Sequence, residues 1–205
     1  AVMQLGTDNF HKLLAACPET DESNQGLAEC EARSSLASHL AHKWGSARAD
    51  VSPDEVAMAS LLAEVGELLL WSVAPELPLA ALEAQHSGQS LRSLQAQVDT
   101  CGFRFKDLTL KCAAVWHLPP LLTQLIRGID NTRANLSRLC IDTARHLSSG
   151  GPGDPALPSD IADAKHIIHG ASLEWLTEQL PDLDAEQVAS IVAKAGELLA
   201  ARQQP

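Results

Sequence analysis

Two histidine pairs are the first residues with chemical potential. His39-x-x-His42 and His166-x-x-His169 each set two imidazoles one helical turn apart, where both could face one metal ion. Such an ion would need further ligands from elsewhere, and neither pair has a flanking carboxylate at zincin spacing. Histidines at the surface or its boundary are therefore expected. His86 and His117 stand beside turns, and His117, between two apolar residues, reads as structural. Glu64 and Glu67 share a helix turn and read as a charged face. There is no G-x-S-x-G elbow, no glycine-rich phosphate loop and no H-E-x-x-H. Gly150-Gly151-Pro152-Gly153 follows no strand, and proline removes an N–H that a phosphate cradle needs.

Composition narrows the partners. The 205 residues carry 26 acidic and 15 basic side chains, a formal net charge of −11. Such a surface repels phosphate backbones and anionic head groups, so neither nucleic acid nor membrane is an expected partner. Arg127, Arg133, Arg138 and Arg145 could form a local basic patch, though solvated arginines are the simpler expectation. Cys17, Cys30, Cys101, Cys112 and Cys140 are odd in number and widely spaced, without a C-x-x-C pair. They suggest a reducing cytoplasm rather than a disulfide framework. No apolar run of membrane-spanning length and no signal peptide is expected. The chain opens on Ala1-Val2-Met3 without an initiating Met, which suggests a cut segment.

The elements that must position these residues are helical. Tyr is absent and Phe numbers three, while Ala, Leu, Glu and Gln abound, which makes the fold all-α. Thr7-Asp8-Asn9 starts a helix that stops before Pro18. A second helix covers Leu27 to Trp44, with Leu36, Leu40 and Trp44 inward and Gly45 as a left-handed terminus. The central helix runs from Ser52 to Trp71. Ser52 and Glu55 form a capping box, Pro53 takes the first turn, and Met58, Leu61, Leu62, Val65 and Leu69 make the buried stripe. Further helices are predicted over 79–85, 91–98 (ended near Gly102), 107–116, 121–128 and 136–147, with Leu108, Ala113 and Trp116 facing inward. Residues 131–135 read as a turn. Residues 148–158, rich in Gly, Ser and Pro, read as a linker or long loop. Beyond it, helices over 159–169, 173–180 and from Asp184 onward form a C-terminal extension. Asp184 and Gln187 make a second capping box, and Val188, Ile191, Val192, Ala195, Leu198 and Leu199 share a face. That face either packs on the domain, the simpler expectation, or meets a partner.

Several motifs together resemble the HDOD family, signalling domains of bacteria related to the HD phosphohydrolases. Ala1-x-x-Gln4-Leu5-Gly6 resembles the family's A-I-x-x-L-G opening. Ser35-Leu36-x-x-His39 followed by Leu61-Leu62-x-x-Val65-Gly66 resembles its central pair of helices. Gly102 and then Trp116-x-Leu118-Pro119 match its G…W-x-L-P element, and Ala144 falls where a late helix carries a small residue. The likeness runs from about Ala1 to Leu147 and implies an HD-like bundle there. It also implies further helices upstream, which the chain as given starts too late to include.

The catalytic HD proteins hold a divalent ion with a first His, a His-Asp doublet and a later Asp, and that ion activates water against a phosphoester. By the resemblance those four places fall on Ser34, Ala63, Glu64 and Arg145, of which only Glu64 could ligate a metal. Many HDOD members have a His where this chain has Phe105, and a later His-His doublet falls on Ile129-Asp130. No cofactor, no catalytic residue and no enzyme activity are therefore expected. The expected role is a regulatory domain that contacts a protein partner or a fused sensor or output module, with a homodimer left open. Two alternatives stand beside it. One is an HD-type phosphohydrolase using His39, His42 and Glu64. The other is a sensor of nucleotides or other small anions, with Arg145 pairing the anion beside Ser34 and Glu64.

Overall fold

Leu40, Ala41 and Trp44, on one face of a long helix, lie at the centre of the largest core. The computed structural model describes residues 6–17, 23–118, 120–129 and 131–202. Among them all regular structure is helical, as the composition predicts. The helices are α1 (Thr7–Ala15), α2 (Gln25–Ser46), α3 (Pro53–Leu62), α4 (Val65–Val73), α5 (Glu76–His86) and α6 (Ser93–Cys101). They continue as α7 (Phe105–Val115), α8 (Pro120–Arg127), α9 (Thr132–Gly150), α10 (Leu157–Ile167), α11 (Leu173–Glu178) and α12 (Ala185–Arg202). In α1, Leu13 and Leu14 remain more than half exposed and no residue is buried. Of the opening motif, Ala1, Gln4 and Leu5 lie outside the described residues, as do Pro119 and Asp130.

α2 is the axis. Its start is capped by Asn24, whose Oδ1 accepts from Leu27 N at 3.0 Å while its Nδ2 donates to Trp71 O at 2.8 Å. Leu27, Cys30, Ser34, Ala37, Leu40, Ala41 and Trp44 are buried, and α3 and α9 pack along them. Gly45 is not the expected left-handed terminus; it lies inside the helix, where an added Cβ would meet Pro53 Cα at 3.3 Å. The glycine allows α2 and α3 to approach closely.

The predicted single helix over 52–71 is two helices, broken at Ala63–Glu64. Thr109 of α7 inserts at the break. Its Oγ1 donates to Ala63 O at 3.1 Å and accepts from Gly66 N at 3.0 Å, supplying partners that the interrupted ladder leaves free. The expected stripe is also rotated. Met58 and Leu61 are exposed, while Val56, Ala59, Ser60, Gly66, Leu70 and Trp71 are buried. Small residues face inward because neighbouring helices come close there. Ser60 Oγ meets Ser137 Oγ of α9 at 2.9 Å, and α7 crosses over Gly66. The Ser52 hydroxyl makes no capping bond, so of that motif only Pro53 acts as expected. By mean hydropathy (1.6) and length, Pro53–Val73 does match a membrane span, contrary to the expectation. Here it forms two core helices whose junction holds a buried, ion-paired glutamate.

A second cluster joins α4 to α7 through Leu70, Ala81, Ala84, Ala96 and Phe105. Gly102 ends α6 in the left-handed region at φ 79°, as predicted. Trp116, expected inward, is 48% exposed because α7 stops at Val115 and His117 turns the chain at φ 53°. Helix α9 starts at Thr132 because Asn131 caps it, its Oδ1 accepting from Ala134 N at 2.9 Å. It runs on through Gly150, so the stretch read as a linker consists of helix, a short 3₁₀ turn at Gly151–Gly153 and the approach to α10. Asp154 steadies that turn by accepting from Ala156 N at 2.8 Å. Leu157, Ile161, Leu176, Ile191 and Ala195 share one cluster with Leu40, Trp44 and Leu136, so the C-terminal helices belong to the main core. Trp44 Nε1 donates to Leu176 O at 3.2 Å across that seam. The second capping box forms in both directions: Gln187 N donates to Asp184 Oδ1 at 2.8 Å, and Asp184 N donates to Gln187 Oε1 at 2.9 Å.

Gly66 offers a direct test of the close α4–α7 crossing. A Cβ there would stand 2.6 Å from Phe105 O and 2.7 Å from Thr109 N, both backbone atoms. The helix-propensity gain of Gly66→Ala, up to about 1 kcal/mol, is outweighed by overpacking of about 1–3 kcal/mol. Chemical denaturation of G66A should show net destabilisation, whereas Gly153→Ala, with nothing within 4 Å, should be near neutral.

Candidate functional site

The break between α3 and α4 puts Glu64 where both neighbouring helices can reach it. Its carboxylate is 5% exposed and carries three charge-assisted hydrogen bonds. Arg33 of α2 donates from Nε to Oε2 at 2.7 Å. Arg145 of α9 donates from Nε and Nη2 to Oε1 at 2.9 and 2.6 Å. Arg33 extends the network, giving Nη2 to Glu67 Oε1 at 3.0 Å. One carboxylate therefore ties three elements together.

The surroundings fit a closed ionic clamp. Burial would depress the Arg33 guanidinium, but Glu64 and Glu67 outweigh it and raise its pKa, so it stays charged. Cys30 lies beneath it, its thiol pushed up by burial and then by Glu67, and it remains protonated. Asp142, one turn from Arg145 at 3.9 Å, is raised by burial and held back chiefly by Arg145.

Arg145, Glu64 and Ala63 line one cavity of about 270 Å³ between the α3–α4 junction, α4, α6, α7, α8 and α9. Phe105, at the place of a common family histidine, is buried and forms part of its wall. Ser34 does not line it. It is buried on α2 next to Arg33, and its Oγ has no hydrogen-bond partner among the described residues. Gly66 and Gly102 act as backbone devices, Leu118 is half-buried, and Ile129 is 48% exposed.

The residues that sequence reasoning missed are Arg33 and Lys106, while Glu64 and Glu67, read as a charged face, are turned inward and paired with Arg33. Arg33 had left a signal: it falls on the stripe Cys30, Arg33, Ala37, Leu40, Trp44, whose other members are all buried. A cation in register with a buried stripe requires a buried anion. The histidine pairs lie elsewhere. His42 faces Asp54 at 3.4 Å on the surface, and His166 and His169 stack edge to face with centroids 5.9 Å apart. Of the basic patch, Arg133 pairs with Glu55 at 3.0 Å and Arg138 donates to Gly128 O at 2.9 Å. Among the described residues no three His, Cys, Asp or Glu side chains converge at metal-binding spacing.

A helical domain with this kink and this crossing glycine carries the W-x-L-P element at the end of α7. The family model for the HDOD domain matches residues 1–132, and the chain belongs to that family, a signalling or output type of domain. No curated protein and no solved structure matches the chain. Of the four places that the resemblance assigns, only Glu64 carries a carboxylate; both its oxygens accept from guanidinium groups, and the last place is Arg145 itself.

Breaking the clamp from its buried centre should be costly. Removing one partner of a buried pair costs about 3–5 kcal/mol, and the half-exposed Arg145 reduces that figure through solvent screening. Glu64→Ala is expected to lose about 2–3 kcal/mol in denaturant unfolding, more than Glu67→Ala, whose partner Arg33 keeps Glu64.

Proposed function

We propose that this chain is a non-catalytic signalling domain of a bacterial, cytoplasmic protein, acting through contacts with protein partners or a fused sensor or output unit. One observation carries the reading: Glu64, which the resemblance assigns to the metal-binding doublet, is held by Arg33 and Arg145. A divalent cation would have to displace two guanidiniums from a buried carboxylate, with an arginine left beside it. An ion-paired centre of this kind fixes the angles between α2, α4 and α9, which suits a scaffold that presents surfaces. Half-exposed Trp116 beside Val115, 73% exposed, is the type of apolar feature that partner surfaces use. Five unpaired thiols, two of them buried, suit a reducing compartment.

Metal analysis of dialysed protein, followed by assay against bis(nitrophenyl) phosphate with added manganese, tests this reading. The expected result is metal far below one ion per chain and no hydrolysis above background. Near-stoichiometric manganese, iron or nickel with turnover would contradict it.

A further inference from the structure

The cavity beside the clamp has a chemistry of its own. Leu94, Phe105, Leu125 and Ile126 give it apolar walls, and Lys106 of α7 and Arg138 of α9 bring two cations to it. Neither cation meets a carboxylate. Arg138 donates to the Gly128 carbonyl, and Lys106, at the exposed rim, has no hydrogen bond or ion pair among the described residues. The acids of the lining are directed elsewhere. Glu64 is held by Arg33 and Arg145, Glu67 by Arg33, and Asp142 lies nearest Arg145. Asp107, next to Lys106 in sequence, pairs with Arg104 at 2.8 Å. Although Lys106 reaches the rim, its ammonium is lowered in pKa, first by partial desolvation against the cavity wall and then by Arg138. Two like charges beside an apolar void are relieved by an anion, and the void accommodates an apolar body attached to it.

We infer that this cavity binds a small amphiphilic anion, a carboxylate or phosphate head read by Lys106 and Arg138 on an aromatic or aliphatic body against Leu94, Phe105, Leu125 and Ile126. At about 270 Å³ the space is at the lower end of small-molecule sites, which limits the body to one or two rings. The ligand would supply an input to a regulatory domain. Its binding is separable from the question of catalysis, because metal content and ligand affinity are measured independently.

Calorimetric titration of the full chain with naphthyl phosphate, naphthoate, naphthylmethanol and inorganic phosphate tests the inference. At least one aryl anion should bind about tenfold more tightly than both the neutral alcohol and inorganic phosphate, and the better of the two identifies the head group. Lys106→Gln should weaken that binding about tenfold. Lys111→Gln, which removes an exposed charge outside the cavity on the same helix, should leave it unchanged. Leu94→Trp, at a 56% exposed position on the cavity wall, should fill the space and abolish binding while the unfolding temperature holds. The inference is overturned if neither aryl anion binds at millimolar concentration, or if the alcohol or inorganic phosphate binds equally well. Equal losses in K106Q and K111Q, or undiminished binding in K106Q, would also overturn it.

Discussion

A single buried carboxylate organises this domain. Glu64 sits at the junction of α3 and α4, nearly closed to solvent, and must be compensated in place. Arg33 supplies one charge from α2 and Arg145 another from α9, so the three elements are fixed relative to one another through one side chain. The clamp's net contribution to stability is modest, because desolvating three charges offsets much of their attraction. Its geometric consequence is larger, since no other acidic side chain among the described residues pairs with both α2 and α9.

The clamp depends on backbone that an uninterrupted helix would not provide. Thr109 holds the break open by bonding both Ala63 O and Gly66 N. Gly66 lets α7 close enough for that hydroxyl to reach. The same crossing carries Phe105 and Lys106 to the cavity, so the kink, the ion cluster and the adjoining void have one origin. At the far end, Trp44 and the Leu176 carbonyl extend the axis into the C-terminal helices. The bundle is thereby continuous from α2 to α12.

Much of this was legible in the residues. Composition predicted helices, Gly102 predicted its left-handed stop, and Asp184 with Gln187 predicted a reciprocal cap that forms. The family resemblance led to Ala63, Glu64 and Arg145, which share one cavity wall. What escaped prediction required tertiary partners. A stretch apolar on nearly every face hides which side is buried, so Met58 and Leu61 read as core while Ala59 and Ser60 hold it. The break at Ala63 is imposed by a threonine more than forty residues away. The Gly-Ser-Pro stretch after Leu147 reads as a linker by local chemistry, yet α9 continues through its start and the helices beyond share the main core.

Arg33 and Arg145 hold Glu64 as one cooperative unit. A double-mutant cycle of Glu64→Gln and Arg145→Gln, measured by urea unfolding of each single variant and the pair, tests it most directly. A coupling energy of about 1–3 kcal/mol is expected, with the double variant more stable than the sum of the single losses implies. Additivity within about 0.3–0.5 kcal/mol would mean that the two groups do not act together, and the clamp would no longer explain the fold.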